Sequence, residues 1–278
     1  MTTDLPAGFT VHRVPTHGTN LAVTVGGAGP VLVLLHGWPQ TSRAWWRVMP
    51  ALARRFTVVA PDLRGTGDSD RPEDGYAKVD QAEDVRGVLD ALGLDGPVTV
   101  VGHDIGAMVA FAWAASRPDD VSALVLLDAL LPGFGLEEAM DVARGGMWHF
   151  GFFMAPGVPE MLFDGHEREF VTATFTAMSA PGTFDEDDLA AYAASYTGRD
   201  RLRGGFAHYR AVLDDGRENR RLLAARPLRM PVLAVGAGAG LPPAEIAEHL
   251  TTRTAPTGHF VAEEDPDWLV RAVTEFTS

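Results

Sequence analysis

Val98-Thr99-Val100-Val101-Gly102-His103-Asp104-Ile105-Gly106 runs from an apolar, β-branched stretch straight into the helical pattern Ile105 to Ser116. The first four residues read as a buried strand, and the alanine-rich segment beyond has the length and composition of a helix. Glycines on both sides permit a tight strand-to-helix elbow that exposes the side chain at its apex, here Asp104. An aspartate ahead of a helix is also a common N-cap, because its carboxylate accepts from free backbone N–H groups. The pentapeptide alone leaves both readings open.

Outward from this elbow the same alternation repeats. Val31 to Leu35, Phe56 to Ala60, Ala123 to Leu127 and Val232 to Val235 are unbroken hydrophobic runs of strand length, as expected of a parallel sheet covered on both faces. Thr10 to Val14 and Leu21 to Val25 read as an antiparallel opening ribbon. Val79 to Leu92, Ile105 to Ser116 and Pro266 to Phe276 read as helices, the last opening on a cap residue followed by proline. The alternation stops after Asp128 and resumes at Pro231. The division expected is an α/β core over residues 1–131 and 228–278, interrupted by an all-helical cap over 132–227.

The 278 residues are 46% hydrophobic and 22% charged, which is ordinary globular composition and excludes a disordered or collagen-like chain. The formal charge of −14 gives a field that opposes nucleic acid and anionic lipid. With no cysteine there is no disulfide framework, thiolate metal site or cysteine nucleophile. Lys78 is the one lysine. Met1 to Thr10 has neither a basic region nor an apolar core, and no apolar run reaches membrane-spanning length. The expectation is a soluble cytoplasmic protein that binds no nucleic acid and no membrane; a homodimer is compatible with the sequence.

Two further segments bear on the elbow. His36-Gly37-Trp38-Pro39 ends the strand VLVLL, where such a fold draws one oxyanion-hole N–H, the second coming from the residue after the nucleophile. The donors would be the amides of Trp38 and Ile105. Thr257-Gly258-His259-Phe260 follows the last strand pattern, where the order nucleophile, acid, histidine puts the base. With these in place the chain resembles the α/β-hydrolases over essentially its full length. The resemblance implies a mostly parallel eight-stranded sheet flanked by helices, with the cap inserted after the sixth strand. Asp62 to Pro72 (DLRGTGDSDRP) resembles the superfamily's D-x-R-G-x-G-x-S segment, read as defining the fold and not the chemistry.

An aspartate nucleophile narrows the reaction. Attack on an acyl group would give an anhydride, whereas attack on a saturated carbon bearing a leaving group gives a stable alkyl ester. Water activated by His259 then attacks the Asp104 carbonyl, with the oxyanion hole stabilising the tetrahedral intermediate. Epoxides or alkyl halides are therefore expected as substrates, with no metal or organic cofactor. The resemblance implies a triad acid after VLAV, as in many α/β-hydrolases, or at the preceding strand end, as in some; Gly236 to Gly240 carries no carboxylate, so the acid is assigned to Asp128, at the end of ALVLLD. Glu263 is the alternative acid, and Asp128 is otherwise a turn cap.

Met147 to Phe153 (MWHFGFF) and Gly205 to Arg210 (GFAHYR) are rich in aromatics that pack a cap against a core. They are also similar to the cap signatures of Cif-like epoxide hydrolases, a similarity that extends through Glu167 to Phe170. That resemblance implies that His149 and Tyr209 bind and protonate an epoxide oxygen, with Tyr196 and His208 as alternates. The subgroup's acid is typically glutamate, one methylene longer than Asp128. His36 and His103, flanking the oxyanion strand end and the nucleophile, and Trp148, Phe150, Phe153 and Phe206 are the candidate substrate contacts. Phe175 adds to the apolar cap.

The first functional expectation is thus an epoxide hydrolase acting on a small apolar epoxide. A dehalogenase using the same aspartate is the rival, with the Trp148 indole as halide donor. The haloacetate dehalogenases carry arginines where this chain has Ile105 and Met108, so nothing here clamps a substrate carboxylate. A non-catalytic binding protein on the same fold is the third expectation.

Overall fold

A computed structural model describes residues 5–278; the part of the N-terminal reading that falls on residues 1–4 lies outside it. Eight strands form one sheet: β1 (Phe9–Pro15), β2 (Asn20–Gly27), β3 (Val31–Leu35), β4 (Thr57–Pro61), β5 (Val98–His103), β6 (Val121–Leu127), β7 (Val232–Gly236) and β8 (Leu250–Thr254). Their order is β1-β2-β4-β3-β5-β6-β7-β8. The β1–β2 and β2–β4 pairings are antiparallel; from β4 across to β8 every pairing is parallel.

The helices are α1 (Met49–Leu52), α2 (Lys78–Leu92), α3 (Ile105–Ser116), α4 (Leu136–Ala139), α5 (Trp148–Met154), α6 (Val158–Phe163), α7 (Glu167–Met178), α8 (Glu186–Ala194), α9 (Arg199–Arg210), α10 (Val212–Leu223), α11 (Val261–Glu264) and α12 (Pro266–Phe276). Alternate residues of each central strand serve opposite faces. Val33 and Leu35 pack with Val85, Val109 and Phe111, from α2 and α3. Leu32 and Leu34 pack with Trp45, Leu269 and Val273 on the other side. Burial on both faces explains why these strands are continuously apolar in sequence.

The residue reading found seven of the eight strands. The eighth, LTTRT, is a largely exposed edge strand, and its Thr and Arg side chains face solvent. An edge needs no hydrophobic run, so it left no pattern to read.

All of α4 to α10 lie between β6 and β7. These helices are tied to the core where α9 crosses the loop after β4: a Cβ on Gly204 would collide with the Gly65 carbonyl, so both backbones approach as only glycine allows. The lone lysine forms a second tie. Lys78, fully buried at the start of α2, donates to the His208 carbonyl at 2.8 Å and to Asp215 Oδ2 of α10 at 3.2 Å.

Candidate active site

Asp104 sits between β5 and α3 with φ +48°, and Asp128, just past β6, has φ +40°. They are the two non-glycine residues at positive φ among the described residues, a strained conformation held by its surroundings. The Asp104 amide donates to the Leu127 carbonyl at 3.2 Å, and the Asp128 amide to the Val235 carbonyl at 2.7 Å. The flanking glycines are sterically required: a Cβ on Gly102 would strike Gly106 and Ala107, and one on Gly106 would strike Leu35 and His36. Gly37 has the same role beside the nucleophile position, since its Cβ would lie 2.7 Å from that of Asp104.

The core half of the site is joined by hydrogen bonds. The Trp38 amide donates to Asp104 Oδ2 at 2.9 Å, in the place expected of an oxyanion donor. Ile105, the other expected donor, begins α3 directly after Asp104. His259 Nδ1 lies 2.7 Å from Asp128 Oδ2, while Asp128 Oδ1 accepts from the amides of Ala237 and Ala239 at 2.6 and 2.9 Å. The glycine-rich loop without a carboxylate thus holds, through its amides, the carboxylate that faces His259.

Burial raises the pKa of Asp128, but its bond to His259 and those two amides outweigh it and leave the pKa lowered. Burial by itself would lower the His259 pKa; the Asp128 hydrogen bond and then the Asp104 charge reverse that and leave it raised.

The cap half is held by ring contacts. The His149 and Tyr209 rings meet edge to face at 6.1 Å, and Phe150 and Phe153 pack on Tyr209 at 5.3 and 4.9 Å. Burial lowers the His149 pKa against the pull of the Asp104 charge. Burial, then Asp104, raises that of Tyr209 well above the ordinary phenol value. At neutral pH the pair is therefore a neutral imidazole and an intact phenol.

A cavity of about 620 Å³ joins the two halves, with Trp38, Asp104, Asp128, His259, His149 and Tyr209 all on its wall. Trp148, Phe150 and Phe153 also face it, and Trp148 is 55% exposed. Sequence reading missed most of the remaining wall, including Met108, Phe163, Phe170, Thr174 and Met178. Ala173, Thr174, Ala177 and Met178 share one face of α7 at helical spacing. That spacing was readable, but not what the face looked at.

Several expected contacts lie elsewhere. His36 Nδ1 meets the Gly37 carbonyl at 2.8 Å, and its Nε2 accepts from the Leu63 amide at 3.1 Å, so the ring braces the β3 and β4 loops behind the site. His103, buried, bonds Gln40 and the His259 carbonyl and is not on the cavity wall. Phe206 stacks behind Phe153 at 4.6 Å and is fully buried, away from the wall. The alternates are placed elsewhere too: the Tyr196 hydroxyl donates to the Gln40 carbonyl at 3.1 Å, and His208 is buried against Tyr76. Glu263 touches Gln40 and Tyr192, not the His259 ring. Phe175 is buried against Tyr192 and Phe260.

A family model described as the alpha/beta hydrolase fold matches residues 30–157. The soluble epoxide hydrolase of Corynebacterium sp. (strain C12) is 35% identical, with 96% of this chain and 97% of that protein covered.

The chain belongs to the α/β-hydrolases.

This α/β-hydrolase is also 31% identical to a fluoroacetate dehalogenase of Burkholderia sp., over 98% of the chain and 94% of that protein. Among solved structures, that of Cfl2 from Burkholderia cenocepacia superposes with a TM-score of 0.87 at 36% identity, covering 97% of this chain and 96% of that one. The protein is a hydrolase, and the expected eight-stranded, mostly parallel sheet is the one observed. Among the described residues, no helix is long and apolar enough to cross a membrane.

Proposed function

We propose that this α/β-hydrolase is an epoxide hydrolase that opens an apolar epoxide through an ester on Asp104 and releases a vicinal diol. The observation that carries the reading is the single cavity in which the Asp104–His259–Asp128 group faces His149 and Tyr209. The chain is divided accordingly into a core, 1–131 and 228–278, and a cap, 132–227, that roofs the elbow.

With Oδ2 of Asp104 held by the Trp38 amide, Oδ1 attacks a ring carbon. The carbon–oxygen bond breaks as Tyr209, with His149 beside it, gives a proton to the departing oxygen. Water then adds to Asp104 Cγ and gives its proton to His259, whose tautomer Asp128 holds. The bond from Cγ to the ester oxygen breaks, that oxygen leaves with the diol and takes the second proton of the water, and the carboxylate re-forms carrying one oxygen from water. The His259 proton returns to Tyr209 through solvent.

The charge on Asp104 coordinates these steps. It raises the pKa of both His259 and Tyr209 in the free enzyme, and esterification removes it. Tyr209 becomes a stronger acid as the alkoxide forms, and His259 becomes the neutral base that hydrolysis needs. Ester hydrolysis should therefore gain its basic form at lower pH than that at which His259 titrates in the free enzyme.

The dehalogenase relative supplies the rival reading. Among the described residues no Lys or Arg lies on the cavity wall, and a haloacid carboxylate needs a cation there. His259→Gln decides between them when incubated with epoxides and haloalkanes: an epoxide adduct should accumulate on Asp104 in intact mass spectra. Halide release with no epoxide adduct would overturn the proposal.

A further inference from the structure

Behind the cavity, a buried string of polar side chains runs to the backbone of His259. Glu263, on α11, accepts from the Tyr192 hydroxyl at 2.6 Å and from Gln40 Nε2 at 2.7 Å. Gln40 Oε1 lies 2.8 Å from His103 Nδ1, and His103 Nε2 lies 2.8 Å from the His259 carbonyl oxygen. Glu263, Gln40 and His103 are each at most 5% exposed.

Two donor–acceptor patterns carry a hydrogen bond through every link of this string, and the Gly37 amide, which donates to Gln40 Oε1 at 3.3 Å, belongs to the first of them. Burial, then the His259 charge, hold the His103 pKa down to about 3, so its ring carries one N–H at neutral pH. That ring lies between an amide oxygen and a carbonyl oxygen, and a single N–H serves only one of them. With Glu263 ionised, Gln40 donates to it, His103 Nδ1–H donates to Gln40, and the His259 carbonyl receives nothing from His103. With Glu263 protonated on Oε2, the oxygen that faces Gln40, the Gln40 amide turns by half a rotation to accept from the carboxyl and gives up its long bond from the Gly37 amide. It then donates to His103 Nδ1, and His103 Nε2–H holds the His259 carbonyl.

We propose that Glu263 is a positioning residue whose protonation sets the direction of hydrogen bonds through Gln40 and His103, and with it the hold on the His259 loop. The positioning role rests on reading His259 as the catalytic base; the hydrogen-bond switch does not.

The groups around Glu263 come from three elements. Tyr192 and Asp188 approach from α8. Gln40, Arg43 and Arg47 lie on the segment after β3, where Arg47 bonds the Glu263 carbonyl and both arginines pair with Asp188. Glu264 adjoins it on α11. Burial outweighs the Tyr192 and Gln40 hydrogen bonds and raises the Glu263 pKa to about 7, so both protonation states of Glu263 are present near neutrality. The hold on His259 is present below that pH and is lost as pH rises through it.

Nitrogen-15 NMR of histidine-labelled protein tests the switch without substrate. His103 should pass from the Nε2–H to the Nδ1–H tautomer with a midpoint near pH 7. Glu263→Gln, whose amide donates to Gln40 as the protonated acid does, should hold Nε2–H throughout. Tyr192→Phe removes a donor to the carboxylate and should move the midpoint upward; it carries the test if Glu263→Gln does not fold. A wild-type tautomer that ignores pH, or an unshifted midpoint in the variants, overturns the switch. Decay of the Asp104 ester should lose its inflection near pH 7 in Glu263→Gln; an unaltered profile beside a working switch overturns the positioning role. If no epoxide ester forms at all, the functional reading fails while the NMR result still decides the switch.

Discussion

The two halves of the cavity are built on different physics. On the core side each proposed reacting group is fixed by directional bonds: Trp38 to Asp104, Ala237 and Ala239 to Asp128, and Asp128 to His259. On the cap side His149 and Tyr209 are held by ring packing and make no side-chain hydrogen bond among the described residues. A nucleophile and a base must be aimed before substrate arrives, which calls for a rigid scaffold with satisfied polar groups. Donors meant for a substrate oxygen must keep their N–H and O–H uncommitted until it binds. Aromatic packing orients the rings without using those groups.

The largest test of this contrast is Asp104→Asn, which keeps the Trp38 hydrogen bond but removes the attacking carboxylate. Diol formation should fall by more than about 10³-fold with the thermal unfolding midpoint unchanged. Residual turnover near wild type would sink covalent catalysis.

Asp128→Asn keeps an oxygen for the two loop amides but offers His259 the wrong partner. Turnover should fall by roughly 10²- to 10⁴-fold. The loss should be in ester hydrolysis, so adduct builds up in rapid-quench mass spectra; slow alkylation instead would place Asp128 outside the base's support.

Tyr209→Phe removes a hydroxyl that makes no hydrogen bond among the described residues. Ring opening should slow by roughly 10- to 100-fold, because His149 still donates. Ester decay and Tm should stay as they are. A large loss of stability would mean that the hydroxyl serves the fold, and the contrast between the halves would dissolve.

The smallest effect separates wall from backing. Phe206→Leu should lower stability by about 1 kcal/mol and leave KM within about twofold, since Phe206 lies behind Phe153. Phe150→Leu, on the wall, should change KM for bulky epoxides more than it changes Tm.

Much of the core half was legible in the sequence because its determinants are local. An elbow needs glycines on either side of one residue, and a doubly covered strand needs an unbroken apolar run. Asp104 and the Trp38 amide each follow the end of such a run, whereas His259 was placed by chain order after the last strand pattern. Asp128 was assigned through resemblance to α/β-hydrolases that carry the acid at this strand end, and β8 was lost because an exposed edge needs no such run.

The cap was different. The sequence marked His149 and Tyr209 only through resemblance, and it gave His36, His103 and Phe206 the same standing as Phe150 and Phe153. Which side chains reach the cavity depends on how α5, α7 and α9 rotate as they pack, through contacts between residues tens of positions apart. The sequence by itself determined seven strands of the sheet, the elbow and the chain order of Asp104, Asp128 and His259, because backbone sterics and burial act over a few residues. Tertiary packing alone decided that His36 and His103 brace loops, that α7 lines the cavity, and that Glu263 addresses His259 through two intermediaries.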